Sequence, residues 1–310
     1  MTENREDLNP SRRTVVQLAA AGLTTGLSAT VGCKAAAETA VKTASGAFAP
    51  LRNKSLNIGI LSFPDTDQTD ITGPLAVLAR IPNAKVYLIG TQITPFRDKR
   101  GFILTPEMTL DEAPDLDLLE VPGGPGQQAL MNDEPVLAFI RNHMESGKPL
   151  FSVCTGALIC GAAGVLKGRR ATTHWASFDL LPHFGAIPVR ERVVVDGNLV
   201  SAAGITAGID GALTVASLLR GDAVAQRIQL DIQYAPEPPF NAGVPETAPP
   251  EVLAAAKTAY QPLTDARLRT AREVSVHMTG RPASALPSRW SGAGLCAAAS
   301  PRTSFMEYSK

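Results

Sequence analysis

The sequence predicts an α/β sandwich with a mostly parallel central sheet. Short apolar runs of strand length alternate with apolar segments at helical spacing, and turns containing Gly and Pro separate them. One strand, Leu150-Phe151-Ser152-Val153, runs straight into Cys154 and from there into a helix of small residues, which is the strand, turn and helix of a nucleophile elbow.

The elements follow in chain order. Ser11-Arg12-Arg13-Thr14-Val15-Val16 leads into a weakly apolar run, Val15 to Gly32, and residues 1–37 read as a twin-arginine export signal. The run has the length of a membrane span, but its Thr, Ser and Gly content makes it a poor hydrocarbon segment and no stop-transfer flank follows. Cleavage after Ala35-Ala36-Ala37 gives a soluble periplasmic protein with no stable membrane insertion; processing before Cys33, at Thr30-Val31-Gly32-Cys33, is the less favoured, lipid-anchored alternative. Residues 38–54 mix Ala, Thr, Ser and Lys without period and read as a linker. The folded domain is expected over residues 55–260.

It opens with strand Leu56 to Leu61, an Asp-rich loop, and a helix begun by Gly73-Pro74 and continued through Leu75 to Ala79. Lys85 to Ile89 is a second strand, Leu116 to Val121 a third that ends in Pro122-Gly123-Gly124, and Val136 to Met144 a helix with Ile140 and Met144 on one face. Beyond the elbow, Thr155 to Val165 is helical, Val189 to Val195 pairs with Leu199 to Ala202 across Asp196-Gly197-Asn198, and Gly211 to Leu219 is another helix. After Tyr234 the Pro-rich chain wraps the surface, with a helix from Pro250 to about Tyr260. Residues 261–310 read as a mostly disordered extension, unpatterned from His277 onward.

Charge narrows the function. The 29 Lys and Arg balance 29 Asp and Glu and form no stripe, so the sequence offers no footprint for nucleic acid or an anionic membrane, and the expected partner is a small molecule. The four cysteines, Cys33, Cys154, Cys160 and Cys296, show no metal-ligand spacing, and no dinucleotide fingerprint is present, so neither metal nor cofactor is expected. Cys154 and Cys160 point to different faces of one helix and are not expected to pair.

In a parallel sheet, ligands bind outside the carboxyl ends of the strands, where the loop at Asp70, the turn at Gly123-Gly124 and the elbow at Cys154 converge. A helix N-terminus favours a thiolate, so the Cys154 pKa is expected below its ordinary value. Addition of sulfur to a substrate also needs a proton and donors for developing charge. Asp70, between the first strand and helix, is the candidate acid/base, although a helix cap is the commoner fate of such an Asp. Backbone N–H groups at Gly123, Gly124 and Thr155 are the candidate cradle. His174 is a weaker candidate base, Trp175 is expected to pack, and Cys160 is read as inert.

These residues carry a family resemblance. Asp70-Ile71-Thr72-Gly73-Pro74, Val121-Pro122-Gly123-Gly124, Ser152-Val153-Cys154-Thr155-Gly156, Ala171-Thr172-Thr173-His174-Trp175 and Gly204-Ile205-Thr206-Ala207-Gly208-Ile209-Asp210 occur in this order, at similar spacing, in the isonitrile hydratases of the ThiJ/PfpI, class I glutamine amidotransferase-like superfamily. The likeness covers roughly Leu56 to Ala255. It implies a flavodoxin-like three-layer sandwich, a homodimer, Cys154 as nucleophile, Asp70 as its acidic partner and Thr155 as a positioning residue. The implied reaction is cofactor-free hydration of a small neutral isonitrile to a formamide. Such a substrate calls for a pocket lined by Ile71, Trp175 and Ile205, with His174 at its edge, rather than by charges. Superfamily peptidases and many glutamine amidotransferase-like relatives need a His beside or near the nucleophile, and here the residue after Cys154 is Thr155, which argues against a protease. Other readings are a ligand-binding sensor, a chaperone-like member of the superfamily and a glyoxalase-like enzyme acting on small aldehydes. The sensor half of a helix-turn-helix regulator needs about a hundred further residues of amphipathic helix, which the segment beyond Pro250 does not supply.

Overall fold

The computed structural model describes residues 46–280; the expectations for the export signal, its processing, Cys33 and Cys296 fall outside them. The chain runs β1 (Leu56–Leu61), α1 (Gln68–Leu78), β2 (Ala84–Gly90), β3 (Phe96–Arg97), β4 (Ile103–Leu104), β5 (Met108–Thr109), β6 (Leu118–Val121), α2 (Gln127–Leu130), α3 (Glu134–Glu145), β7 (Leu150–Val153) and α4 (Gly156–Ala162). It continues through β8 (Arg170–Ala171), a 3-10 helix (Trp175–Phe184), β9 (Ile187–Pro188), β10 (Val193–Asp196), β11 (Leu199–Ala202), α5 (Ala207–Arg220), α6 (Asp222–Asp231) and α7 (Pro250–Gly280).

Seven strands form the central sheet in the order β10-β11-β7-β6-β1-β2-β5. All neighbours are parallel except β10 and β11, the expected hairpin. Because successive strand residues face opposite sides, Leu118 and Phe151 pack with α1, α5 and α6 on one face, while Leu119 and Leu150 pack with α3, α4 and the end of α7 on the other. The result is the three-layer α/β sandwich read from the sequence. Burying side chains such as Phe151, Ile58 and Leu119 contributes about 1.5–3 kcal/mol each.

Three boundaries differ from expectation. Helix α1 starts at Gln68 rather than at Gly73-Pro74, because the Asp67 carboxylate accepts the Thr69 N–H at 3.1 Å and caps it. Pro74 therefore sits inside the helix, and Asp70 lies in its first turn rather than in a loop. The presumed linker ends early: Phe48 and Leu51 are buried in the core, and the Arg220 guanidinium ties the Leu51 and Lys54 carbonyls at 2.6 and 2.7 Å. The helix expected to stop near Tyr260 continues through Pro262 to Gly280, so residues 261–280 belong to the fold and not to a disordered extension. No helix among the described residues is long and apolar enough to cross a membrane.

Candidate active site

Strand β7 ends at Val153 and the chain reverses at Cys154, whose φ of +55° lies in the left-handed region that non-glycine residues rarely adopt. Such a conformation costs on the order of 1–3 kcal/mol and persists only where its surroundings hold it. Here the Cys154 N–H donates to the Ala202 and Ala203 carbonyls at 3.1 and 2.9 Å, and its own carbonyl accepts the Thr173 hydroxyl at 2.7 Å. Gly156 completes the elbow: a Cβ there would lie 2.0 Å from the Val121 carbonyl oxygen. A second strained residue, Ile205 at φ +34°, follows β11, and its N–H, with that of Thr155, donates to the Cys154 sulfur.

Asp70 is fully buried beside this sulfur. One carboxylate oxygen accepts the Gly123 N–H at 3.0 Å, while the other is buried without a hydrogen-bond partner beside the Cys154 thiol. Gly123 has to be glycine, since a Cβ would come within 2.5 Å of the Thr155 nitrogen and 3.0 Å of the Asp70 carboxylate. Burial, and next the charge of Asp67, push the Asp70 pKa up to about 7; the Gly123 N–H, the Cys154 thiol and Lys99 oppose the rise. Asp67 in turn is paired with Lys99.

The first turn of α1 at Asp70, the turn after β6 and the elbow after β7 thus meet at the carboxyl edge of the sheet, as the topology requires. The details correct several expectations. Burial drives the Cys154 thiol above its ordinary value and Asp70 adds to the rise, opposed by the Ile205 and Thr155 N–H groups and by Arg267, so the short helix α4 does not lower the thiol pKa. Proton exchange with Asp70 takes over that role: the carboxyl is poised near pH 7 while the thiol is held well above its ordinary range, so the proton rests mainly on sulfur, and moving it to the carboxylate gives the reactive thiolate. The Gly123 and Gly124 N–H groups are not a free cradle, because the first holds Asp70 and the second donates to the Thr155 hydroxyl at 3.1 Å. The free role passes to the Thr155 and Ile205 N–H groups. His174 caps the 3-10 helix, its Nδ1 accepting the Ala176 N–H at 3.3 Å, and burial with the charges of Arg267 and Lys99 lowers its pKa to about 4. It is neutral at physiological pH and its Nδ1 is occupied, which suits a cap rather than a base.

Cys154, Thr155, Gly124, His174 and Ile205 line a cavity of about 30 Å³, joined by Asp67 and Lys99 and by Tyr260, Leu263 and Arg267 from α7. Three charged residues therefore face a cavity expected to be apolar. Ile71 is absent from the lining because it lies in the core between α1 and the sheet. Trp175 packs edge-on against Tyr260 at 5.4 Å and lines a neighbouring cavity of about 440 Å³ that shares His174 and Ile205 as walls. A larger cavity of about 820 Å³ between α3 and α4 contains no nucleophile. Sequence reasoning missed Asp67, Lys99, Tyr260, Leu263 and Arg267. Arg267 is buried on α7 with Thr270, Ala271 and Val274, a face at helical spacing whose polar members give no apolar pattern in the sequence. Cys160 is a free, buried thiol in the core, and no group of side chains suited to a metal occurs among the described residues.

Comparison with known proteins fits this geometry. The chain is 50% identical to the isonitrile hydratase of Pseudomonas putida over 216 residues, which covers 70% of this chain and 94% of that one. It is 36% identical to a deglycase of Thermococcus kodakarensis over 120 residues, 38% of this chain and 72% of that one. Among solved structures, a ThiJ/PfpI family protein from Pseudomonas syringae superposes with a TM-score of 0.69 at 38% identity, covering 70% of this chain and 91% of that one. A DJ-1 superfamily protein from Salmonella typhimurium superposes with a TM-score of 0.54 at 28% identity, covering 59% of this chain and all of that one. The DJ-1/PfpI family profile matches residues 57–218, and the chain belongs to the DJ-1/PfpI family.

Proposed function

We propose that the protein hydrates isonitriles to N-substituted formamides, with Cys154 as nucleophile and Asp70 as the group that carries the protons. The observation that carries this reading is a buried thiol beside a buried carboxyl poised near pH 7, in a chain half identical to an isonitrile hydratase. The isonitrile carbon has a lone pair and also accepts a soft nucleophile, so it needs a proton and an electron pair together. Sulfur adds to that carbon while the Asp70 proton moves to it, giving a thioimidate on Cys154 and leaving Asp70 ionised. Water then adds across the C=N bond, its proton passing through Asp70 to nitrogen. Collapse forms the formamide C=O, breaks the C–S bond and returns the hydroxyl proton to Asp70. No electrons leave the system. The Thr155 and Ile205 N–H groups hold the sulfur as charge returns to it.

The small cavity has room for about one or two waters, enough for the reacting carbon and nitrogen. The substituent then occupies the neighbouring cavity past His174 and Ile205, against Trp175, Phe178, Val244 and Pro245. Incubating the purified protein with cyclohexyl isocyanide and measuring the formamide tests the reading. Mass spectrometry of quenched enzyme should find Cys154 heavier by one substrate. Inertness towards several isonitriles, with methylglyoxal consumed through Cys154, would replace this reading with an aldehyde chemistry, to which the similarity to the deglycase points. The proposal extends to a homodimer in the periplasm. Export is supported by Arg12-Arg13 ahead of the apolar run, and replacing both by Lys should hold the precursor in the cytoplasm. Sedimentation of the purified protein as a monomer would refute the dimer.

A further inference from the structure

The guanidinium of Arg267 is buried within the fold, yet no carboxylate pairs with it. Its Nη1 donates to the Ser177 hydroxyl at 3.1 Å, and its Nη2 to the Gly124 carbonyl at 3.3 Å and, more weakly, to the Thr155 hydroxyl at 3.5 Å. Its Nε is buried with no partner at all. A buried cation held only by neutral groups is expensive unless a negative charge lies near. The helix that carries it is fastened across the site, with the Gln128 amide donating to the Thr270 hydroxyl at 2.5 Å and to the Ala266 carbonyl at 3.3 Å. Arg267 lines the same small cavity as Cys154 and reaches the residue that follows it.

The other charges around the pair are arranged with it. Asp67 and Lys99 neutralise one another. Glu120, fully buried on β6 with both oxygens unpartnered, is held protonated by burial and by Asp70. His174 is neutral, and Tyr260 adds its ring to the cavity wall. One ionisable pair remains, the Asp70 carboxyl beside the Cys154 thiol, and one cation, Arg267.

We propose that Arg267 is the counter-ion of the reactive pair, a positioning residue that stabilises negative charge on the Cys154 sulfur and so raises the share of the pair in its thiolate and carboxylic acid form. The transfer is a proton moving from sulfur to the carboxylate oxygen, with no change in total charge. Its electrostatics are directional: Arg267 acts on Cys154 to favour the thiolate, whereas Asp67 acts on Asp70 to favour the neutral acid. The inference rests on Cys154 and Asp70 being the reactive pair and does not depend on the substrate.

The test is alkylation of Cys154 by iodoacetamide as a function of pH, with the modified residue identified by mass spectrometry. Arg267→Gln, shorter but polar and uncharged, should move the alkylation midpoint up by at least about one pH unit and slow the reaction at pH 7 about tenfold, because one unit is a tenfold change in thiolate fraction. Arg267→Lys, which restores the charge, should return most of the rate. Unaltered midpoints in folded Arg267→Gln, or an equal shift in Arg267→Lys, would overturn the proposal in favour of a purely structural guanidinium. Ultraviolet thiolate absorbance, taken as the difference from Cys154→Ala, provides an independent check: its onset should move to higher pH in Arg267→Gln, and an unmoved onset would refute the counter-ion. Because no isonitrile is involved, failure here is distinguishable from failure of the hydration reading.

Discussion

Replacing Asp70 by Asn should make the protein slower and, above neutral pH, more stable. In the folded state the Asp70 pKa stands at about 7 against an ordinary value of 3.8. A carboxyl whose folded pKa is raised binds its proton more tightly when folded, so its contribution is undiminished below pH 4, falls as pH rises towards 7 and is flat above it. At about 1.4 kcal/mol per unit the whole rise amounts to about 4 kcal/mol, of which about 2–3 kcal/mol is lost between pH 5 and pH 8. Asn keeps the oxygen that accepts the Gly123 N–H and cannot ionise. Urea unfolding of both proteins at pH 5 and pH 8 should therefore show the stability of Asp70→Asn relative to the unaltered chain increasing by about 2–3 kcal/mol between the two. Turnover should fall by at least about a hundredfold, the usual size of a lost acid/base contribution. A relative stability that stays constant with pH would show that Asp70 titrates as an ordinary carboxylate, and the proton-carrying role would fall with it.

Other substitutions separate the site from its surroundings. Cys154→Ala should abolish turnover, whereas Cys160→Ala, in the core and away from the cavity, should retain it with a stability loss of about 1 kcal/mol; comparable activity in Cys154→Ala would exclude it as nucleophile. His174→Ala should lose about 1 kcal/mol of stability as the cap of the 3-10 helix while turnover survives, and a collapse of activity in a folded variant would restore His174 as a base. Gly156→Ala would drive a methyl against the Val121 carbonyl and should destabilise the elbow by at least about 2 kcal/mol, checked by thermal unfolding.

The elbow, the parallel sheet and the meeting of Asp70 with Cys154 were legible because each depends on local sequence: an apolar strand, a glycine turn and a topology that sends every parallel strand's end to one edge. The pKa of Cys154 was misjudged because the dipole of a seven-residue helix is visible in sequence and desolvation by distant packing is not. Helix α1 was started late because Pro74 reads as a first-turn residue, while the cap that fixes its start is a side-chain bond from Asp67. Arg267 was lost for a different reason. Its stripe on α7 contains an arginine and a threonine, so the buried face carries no apolar pattern, and the cation's neighbours Gly124, Thr155 and Ser177 come from distant parts of the chain.

That α7 forms one wall of the nucleophile's cavity also has a consequence for the growing chain. Synthesis proceeds from the N-terminus, so Cys154 emerges with Asp70 already made, while Tyr260, Leu263 and Arg267 follow about a hundred residues later. Until they arrive the sulfur has no roof, and electrophiles and oxidants in the surrounding solution can reach it. Every molecule therefore passes through an interval of synthesis in which its reactive atom exists before the wall that gives it selectivity has been made.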